Sequence, residues 1–193
     1  MSIPFLPTFS PEIITNKVKK TTEELILENI KEQVVVYLEK IYKEEELKRF
    51  LKLLSFEESR HNWKIINRFG YMGKYQFHYK TLIFLGYKGI TPRQFKKNPE
   101  IFNESLQEQA IRRLLYSNTL ELKKEIEIFS NKYYKGVYIT KSGLLAAAHL
   151  LGAATIKDWL YETTITKIAK RGFIDGNKTH ITVYITKFAF FNF

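Results

Sequence analysis

Apolar residues recur at intervals of three and four over most of this chain, the spacing of one face of a helix. Leu27, Ile30, Val34, Leu38 and Ile41 predict a first helix, and Thr21 with Glu24 fits the capping box that would start it. The reading lays this helix on the core; a helix that binds a partner is the alternative. Glu44, Glu45 and Glu46 suit the positive end of a second helix, with Leu47, Phe50, Leu51 and Leu54 as its apolar face. Ahead of both, residues 1–20 read as an irregular arm broken by Pro4, Pro7 and Pro11. The chain is therefore expected to divide into an arm and helix over 1–43 and a main domain over 44–193.

Between Asn67 and Phe77 the helical period stops. Gly70 and Gly73 supply permissive backbone and Tyr71, Tyr75 and Phe77 alternate, which suits a tight hairpin or loop. Short helices are expected over Tyr79–Leu85 and after Thr91-Pro92, where Thr caps and Pro takes the first helical position. Pro99–Ser130 carries the longest helical pattern, with a break expected near Ser117-Asn118-Thr119, and residues 131–136 read as a turn. Thr140 caps a helix that is apolar all round from Leu144 to Leu151 and so should be buried, ended by Gly152. Thr155 and Asp158 look like a weak capping box for a helix over Ile156–Leu160. Asp175–Thr179 is a turn with too few ligands for a metal site. Ile181–Phe193 is apolar and aromatic and must dock on the rest of the chain. The fold class expected from these patterns is mainly α, an α+β helical domain with one small β-hairpin.

Composition narrows the chemistry. A chain of 193 residues without cysteine has no disulfides, thiolate metal sites or Cys nucleophiles, and its stability must come from packing. The net charge of +11 points to a polyanionic partner, with nucleic acid, anionic lipid and bacterial cell wall all qualifying. The first residues lack the pattern of a signal peptide, and the longest apolar run, Leu144–Ala154, is far below the ~20 residues that span a bilayer. A soluble protein without membrane insertion is expected. No cofactor or metal motif is present.

Charge is also unevenly placed. From Ser59 to Asn98 there is no Asp or Glu, while nine Lys/Arg and nine aromatic residues fall in the same interval. Just before it stand two adjacent carboxylates, Glu57 and Glu58. On a helical wheel both border the apolar face of the second helix, so periodicity leaves open which one points inward. A carboxyl at that boundary would be desolvated and kept protonated, as a general acid requires. The plainer alternative is two exposed glutamates paired with Arg60 and His61. His149, the only titratable group in the apolar helix, reads as a hydrogen-bonded core residue or as part of a site.

Glu58-Ser59, followed by Asn67, Gly70, Gly73 and Gln76, resembles the lysozyme-like superfamily, most closely its soluble lytic transglycosylase branch and phage relatives. In that branch a helix ends in Glu-Ser and the glutamate is the acid; a segment of the form G-x-x-G-L-M-Q-I then lines the sugar cleft. Here that segment reads Gly70-Tyr71-Met72-Gly73-Lys74-Tyr75-Gln76-Phe77. A second likeness joins Leu145–Gly152 to the family's L-A-A-Y-N-A-G stretch, with His149 and Leu150 where Tyr and Asn are usual. Together the two cover about residues 45–160.

The resemblance implies a peptidoglycan glycosidase, a lytic transglycosylase or muramidase that cuts between N-acetylmuramic acid and N-acetylglucosamine. It implies Glu58 as the catalytic acid, with Ser59, Tyr71, Met72, Gly73, Tyr75, Gln76 and His149 on the substrate side. It further implies a phage lysin or virion-associated enzyme, held in the host cytoplasm before release or in the virion, and acting on the cell wall. Peptidoglycan is then the partner and nucleic acid is not. Two other readings compete: a basic, aromatic nucleic-acid-binding module, and a structural wall or virion protein that kept the fold and lost activity. In hen-type and phage-type lysozymes a second carboxylate comes from the hairpin after the acid. Here the acid-free interval cannot supply one. A distant carboxylate such as Glu100, Glu104 or Asp175 could fold back, but the simpler reading is that Glu58 works alone, with the substrate's N-acetyl group assisting, then acts as base on the muramic 6-hydroxyl and leaves a cyclic anhydro sugar; hydrolysis by a water is the alternative.

Overall fold

A computed structural model describes residues 20–193, so the arm expected at the N-terminus lies, but for Lys20, outside the described residues. The chain forms two compact units, one up to Lys40 and one over Ile41–Phe193. It is mainly helical, with eight α-helices and one two-stranded antiparallel sheet among the described residues.

Helix α1 spans Thr22–Ser59 without interruption, where the sequence suggested two helices. The capping box forms as expected, with the Thr21 amide donating to Glu24 Oε2 at 2.8 Å and the Glu24 amide to Thr21 Oγ1 at 3.2 Å. The acidic run Glu44–Glu46 sits mid-helix, where Glu44 pairs with Arg112 at 2.7 Å. Leu27, Ile30, Val34 and Leu38 are 50–56% exposed. Apolar residues there run round the helix, Ile26, Val35, Val36 and Tyr37 included, and define no single face to bury.

The second unit is built on α2 (Tyr79–Phe84), α3 (Pro92–Lys97), α4 (Glu104–Glu121), α5 (Lys123–Phe129), α6 (Lys141–Leu151), α7 (Ala153–Tyr161) and α8 (Ile181–Lys187). Thr91 and Gln94 form a full capping box at α3 with Pro92 in the first turn. The break in the long pattern falls at Leu122 rather than near Asn118, because Leu122 is fully buried and ends α4 where α5 begins. The hairpin is β1 (Lys132–Tyr134) and β2 (Val137–Ile139), in the segment read as a turn. Its two turn residues, Lys135 and Gly136, both have positive φ, the type I′ geometry that matches strand twist. It does not line the cleft described below. The segment that does, Ile66–Phe77, is a loop with two isolated antiparallel bridges, Ile66–Met72 and Met72–Phe77.

Helix α6 joins the two halves of the core. Leu145 and Ala146 pack into a cluster with Phe50, Leu54, Met72, Phe77 and Ile111. Leu144, Ala147, Ala148 and Leu151 pack into another with Ile156, Trp159, Ile181 and Ile185. That is why the helix is apolar all round. Its small residues admit close neighbours: a Cβ at Gly143 would lie 2.5 Å from the Ile185 carbonyl of α8. The last residues dock as their composition required, with the Phe188, Phe191 and Phe193 rings 5.0–5.6 Å from Phe50.

Candidate active site

Helix α1 ends in a turn in which Arg60 and His61 both take positive φ and their amides bond back to Phe56 and Ser55. Neither side chain pairs with the glutamates. The Arg60 guanidinium stacks 4.0 Å over Phe56, and His61 Nδ1 lies 2.7 Å from Ser55 Oγ. Glu57 pairs instead with Lys187 of α8 at 2.7 Å. Glu58 points the other way, with its side chain 13% exposed.

Glu58 stands in a cleft of about 530 Å³ whose lining includes Tyr71, Gln76, His149, Arg171 and Asp175. The Tyr184 hydroxyl donates to Glu58 Oε1 at 2.9 Å, and His149 Nε2 is 3.9 Å from the same oxygen. Burial lifts the Glu58 carboxyl to about 7; the Tyr184 hydrogen bond opposes the rise, and the charges of Asp175 and Glu57 add to it. Burial pushes His149 down to about 4. The His149–Glu58 contact at neutral pH is therefore not an ion pair, since the imidazole is uncharged. Tyr184, buried beside Glu58, is held well above the usual phenol range and stays a donor. A second cavity of about 590 Å³, lined by Tyr87, Gln94 and Lys97 among others, has no carboxylate in its walls.

Two polar anchors fix the walls. On one side, buried Gln107 accepts from the Lys74 amide at 2.6 Å and donates to the carbonyls of Trp63 and Phe102 at 2.8 and 2.7 Å. Asn67 Oδ1 accepts from the amides of Phe69 and Tyr71, shaping the rim. On the other side, buried Asp158 accepts from the Thr163 hydroxyl and from the amides of Ile165 and Thr166 at 3.3 and 2.7 Å. Burial acts upward on its carboxyl, but these donors outweigh it and hold the group at about 2. The expected capping role of Thr155 and Asp158 is thus replaced. Helix α7 starts earlier, at Ala153, Thr155 bonds back to Leu151, and Asp158 ties down the loop leading to the far wall.

The residues assigned to the substrate side separate on this geometry. Tyr71, Gln76 and His149 line the cleft with Glu58. Gln76, at positive φ, donates through Nε2 to the Gly73 carbonyl at 2.8 Å. Ser59, Met72, Gly73 and Tyr75 do not line it. Ser59 Oγ donates to the Lys74 carbonyl at 2.8 Å and so ties the loop to the end of α1. Met72 is fully buried in the core. Gly73 is needed where it is because a Cβ would meet Gln107 Oε1 at 2.3 Å. Tyr75 is 1% exposed and donates to Glu108 at 2.8 Å. Alternation in sequence put Tyr71 and Tyr75 on one face; the glycine turns put them on different sides of the loop. Tyr184, Gln107 and Asp158 were not singled out for the site, and Asp175 was named only as one of three distant carboxylates.

Among the described residues no helix is long and apolar enough to cross a membrane. Comparison of the chain with family models, with curated proteins and with solved structures finds no match.

Proposed function

We propose that this protein is a peptidoglycan glycosidase of the lysozyme-like kind, with Glu58 as its general acid. The observation that carries the reading is the Glu58 carboxyl itself: desolvated, with a pKa near 7, and standing in a cleft of about 530 Å³. A group in that state is protonated often enough at neutral pH to protonate a glycosidic oxygen, yet acidic enough to give the proton up. Tyr184 orients it, with neutral His149 beside it. Exposed aromatic faces such as Phe69 and Tyr71 at the rim suit stacking on sugar rings, and the net charge of +11 suits an anionic wall polymer.

The competing nucleic-acid reading has less aromatic surface to draw on than the sequence suggested: of the nine aromatics in the basic interval, Tyr75, Phe77 and Phe95 are core residues. The test is incubation with purified peptidoglycan and mass analysis of soluble products. Muropeptides cut at the muramic acid–glucosamine bond are expected. An undegraded wall, together with salt-dependent binding of single-stranded DNA, would overturn the reading.

A further inference from the structure

The acid-free interval after Glu58 leaves the near wall of the cleft without a second carboxylate, but the far wall has one. Asp175 lines the same cleft as Glu58 although 117 residues separate them in the chain. Its turn is fixed. The amides of Asn177 and Thr179 donate to Asp175 Oδ1 at 2.9 and 2.6 Å, its own amide donates to the Thr179 carbonyl at 3.0 Å, and Ile174 and His180 bridge behind it. At Gly176 the turn packs on Phe69 of the near wall, close enough that a Cβ there would sit 3.4 Å from the ring. Among the described residues Asp175 Oδ2 has no hydrogen-bond partner, and no Lys, Arg or His nitrogen of those residues lies within salt-bridge distance of the carboxylate. In a chain with 31 Lys and Arg, an unpaired carboxylate facing the same space as a buried acid calls for an explanation.

We propose that Asp175 is the base of a two-carboxylate hydrolysis: it takes a proton from a water that attacks the anomeric carbon while Glu58 protonates the leaving oxygen. This rests on the glycosidase reading above and sharpens it from glycosidase to hydrolase. The step balances. The bond between the anomeric carbon and the glycosidic oxygen breaks, and that oxygen gains the Glu58 proton. The water oxygen bonds to the same carbon, and its proton passes to Asp175. The two products together carry one added water, and solvent returns the proton from Asp175 to Glu58. Attack from the face opposite the leaving group inverts the anomeric configuration.

The experiment is digestion of purified peptidoglycan in ¹⁸O water by the full chain. One label per cut is expected at the new reducing end. Asp175→Asn, which keeps the oxygen acceptor of the turn and so the fold, should lower product release at least ~10²-fold. Asp175→Ala should lower it similarly and be rescued by azide, giving a glycosyl azide of inverted configuration, which a merely structural residue would not do. Unlabelled anhydro-ended products would overturn the role of Asp175 and leave Glu58 as the acid of a transglycosylase, and wild-type rates in Asp175→Asn would overturn it and leave Glu58 as the one carboxylate the reaction needs. Absence of any cleavage by the wild-type chain would overturn both.

Discussion

Tyr184 donates a 2.9 Å hydrogen bond to Glu58 across 126 residues of chain, joining α8 to the last turn of α1. The bond favours the charged form of Glu58 and so works against the burial that raises its pKa. Tyr184→Phe removes it, and the Glu58 carboxyl rises further. If Glu58 acts as the acid, activity is lost as it deprotonates, so the alkaline limb of the pH–rate profile should move to higher pH in this variant. A limb that stays in place, or moves down, would show that Tyr184 does not tune the acid.

Stability should carry the same signature. The folded pKa of about 7 exceeds the ordinary value of 4.5, so the folded state holds a proton that the unfolded state has released. This contribution is fully present below about pH 4.5 and is lost as pH rises through about 7, a swing of about 3 kcal/mol. Glu58→Gln cannot ionise and escapes the loss. Denaturant unfolding should find the variant gaining on wild type by up to about 3 kcal/mol between pH 4.5 and pH 8. Parallel pH dependences would place Glu58 in water rather than in the protein.

Gly143 tests how α8 is seated. Its missing side chain lets the Ile185 carbonyl approach α6, and Ile185 follows Tyr184 in the chain. Gly143→Ala should destabilise by roughly 1–3 kcal/mol through overpacking and lower activity by shifting Tyr184 from Glu58. Ala147→Leu, on the same helix and in the same half of the core as Ile185, should cost a similar amount. Thermal melts of the two variants check both; an unchanged melt for either would contradict the packing of α6.

Gln107→Leu should loosen the near wall. It leaves the Lys74 amide and the Trp63 and Phe102 carbonyls without their partner, at about 1–3 kcal/mol for each group left buried. Amide exchange should quicken over residues 63–77 more than elsewhere. Uniform exchange would mean that Gln107 is not the anchor.

Much of this was legible in the sequence because it is local. The mainly helical class, the Thr91 cap with Pro92 after it and the buried helix after Thr140 follow from spacing and cap residues within a few positions. What escaped depends on distance along the chain. Nothing near Glu58 indicates that Tyr184 bonds it, or that Lys187 takes Glu57 out of contention. The hairpin was placed in the glycine-rich loop because Tyr71, Tyr75 and Phe77 alternate. The chain instead turns tightly at Gly70, Gly73 and Gln76, and the paired strands form where Lys135-Gly136 supplies the right turn. Continuity of α1 across Lys43 was also hidden, since the acidic run reads as a helix start until Arg112 is seen opposite Glu44.

The central claim is that Glu58 delivers the proton that breaks the glycosidic bond. The most direct measurement is the rate of muropeptide release from purified peptidoglycan by wild type, Glu58→Gln and Glu57→Gln, each first shown to be folded. Glu58→Gln should fall by at least ~10²–10⁴-fold, because the amide fills the same space and accepts from Tyr184 but has no proton to give. Glu57→Gln should keep most of the activity. Wild-type release by Glu58→Gln, or loss confined to Glu57→Gln, would contradict the account.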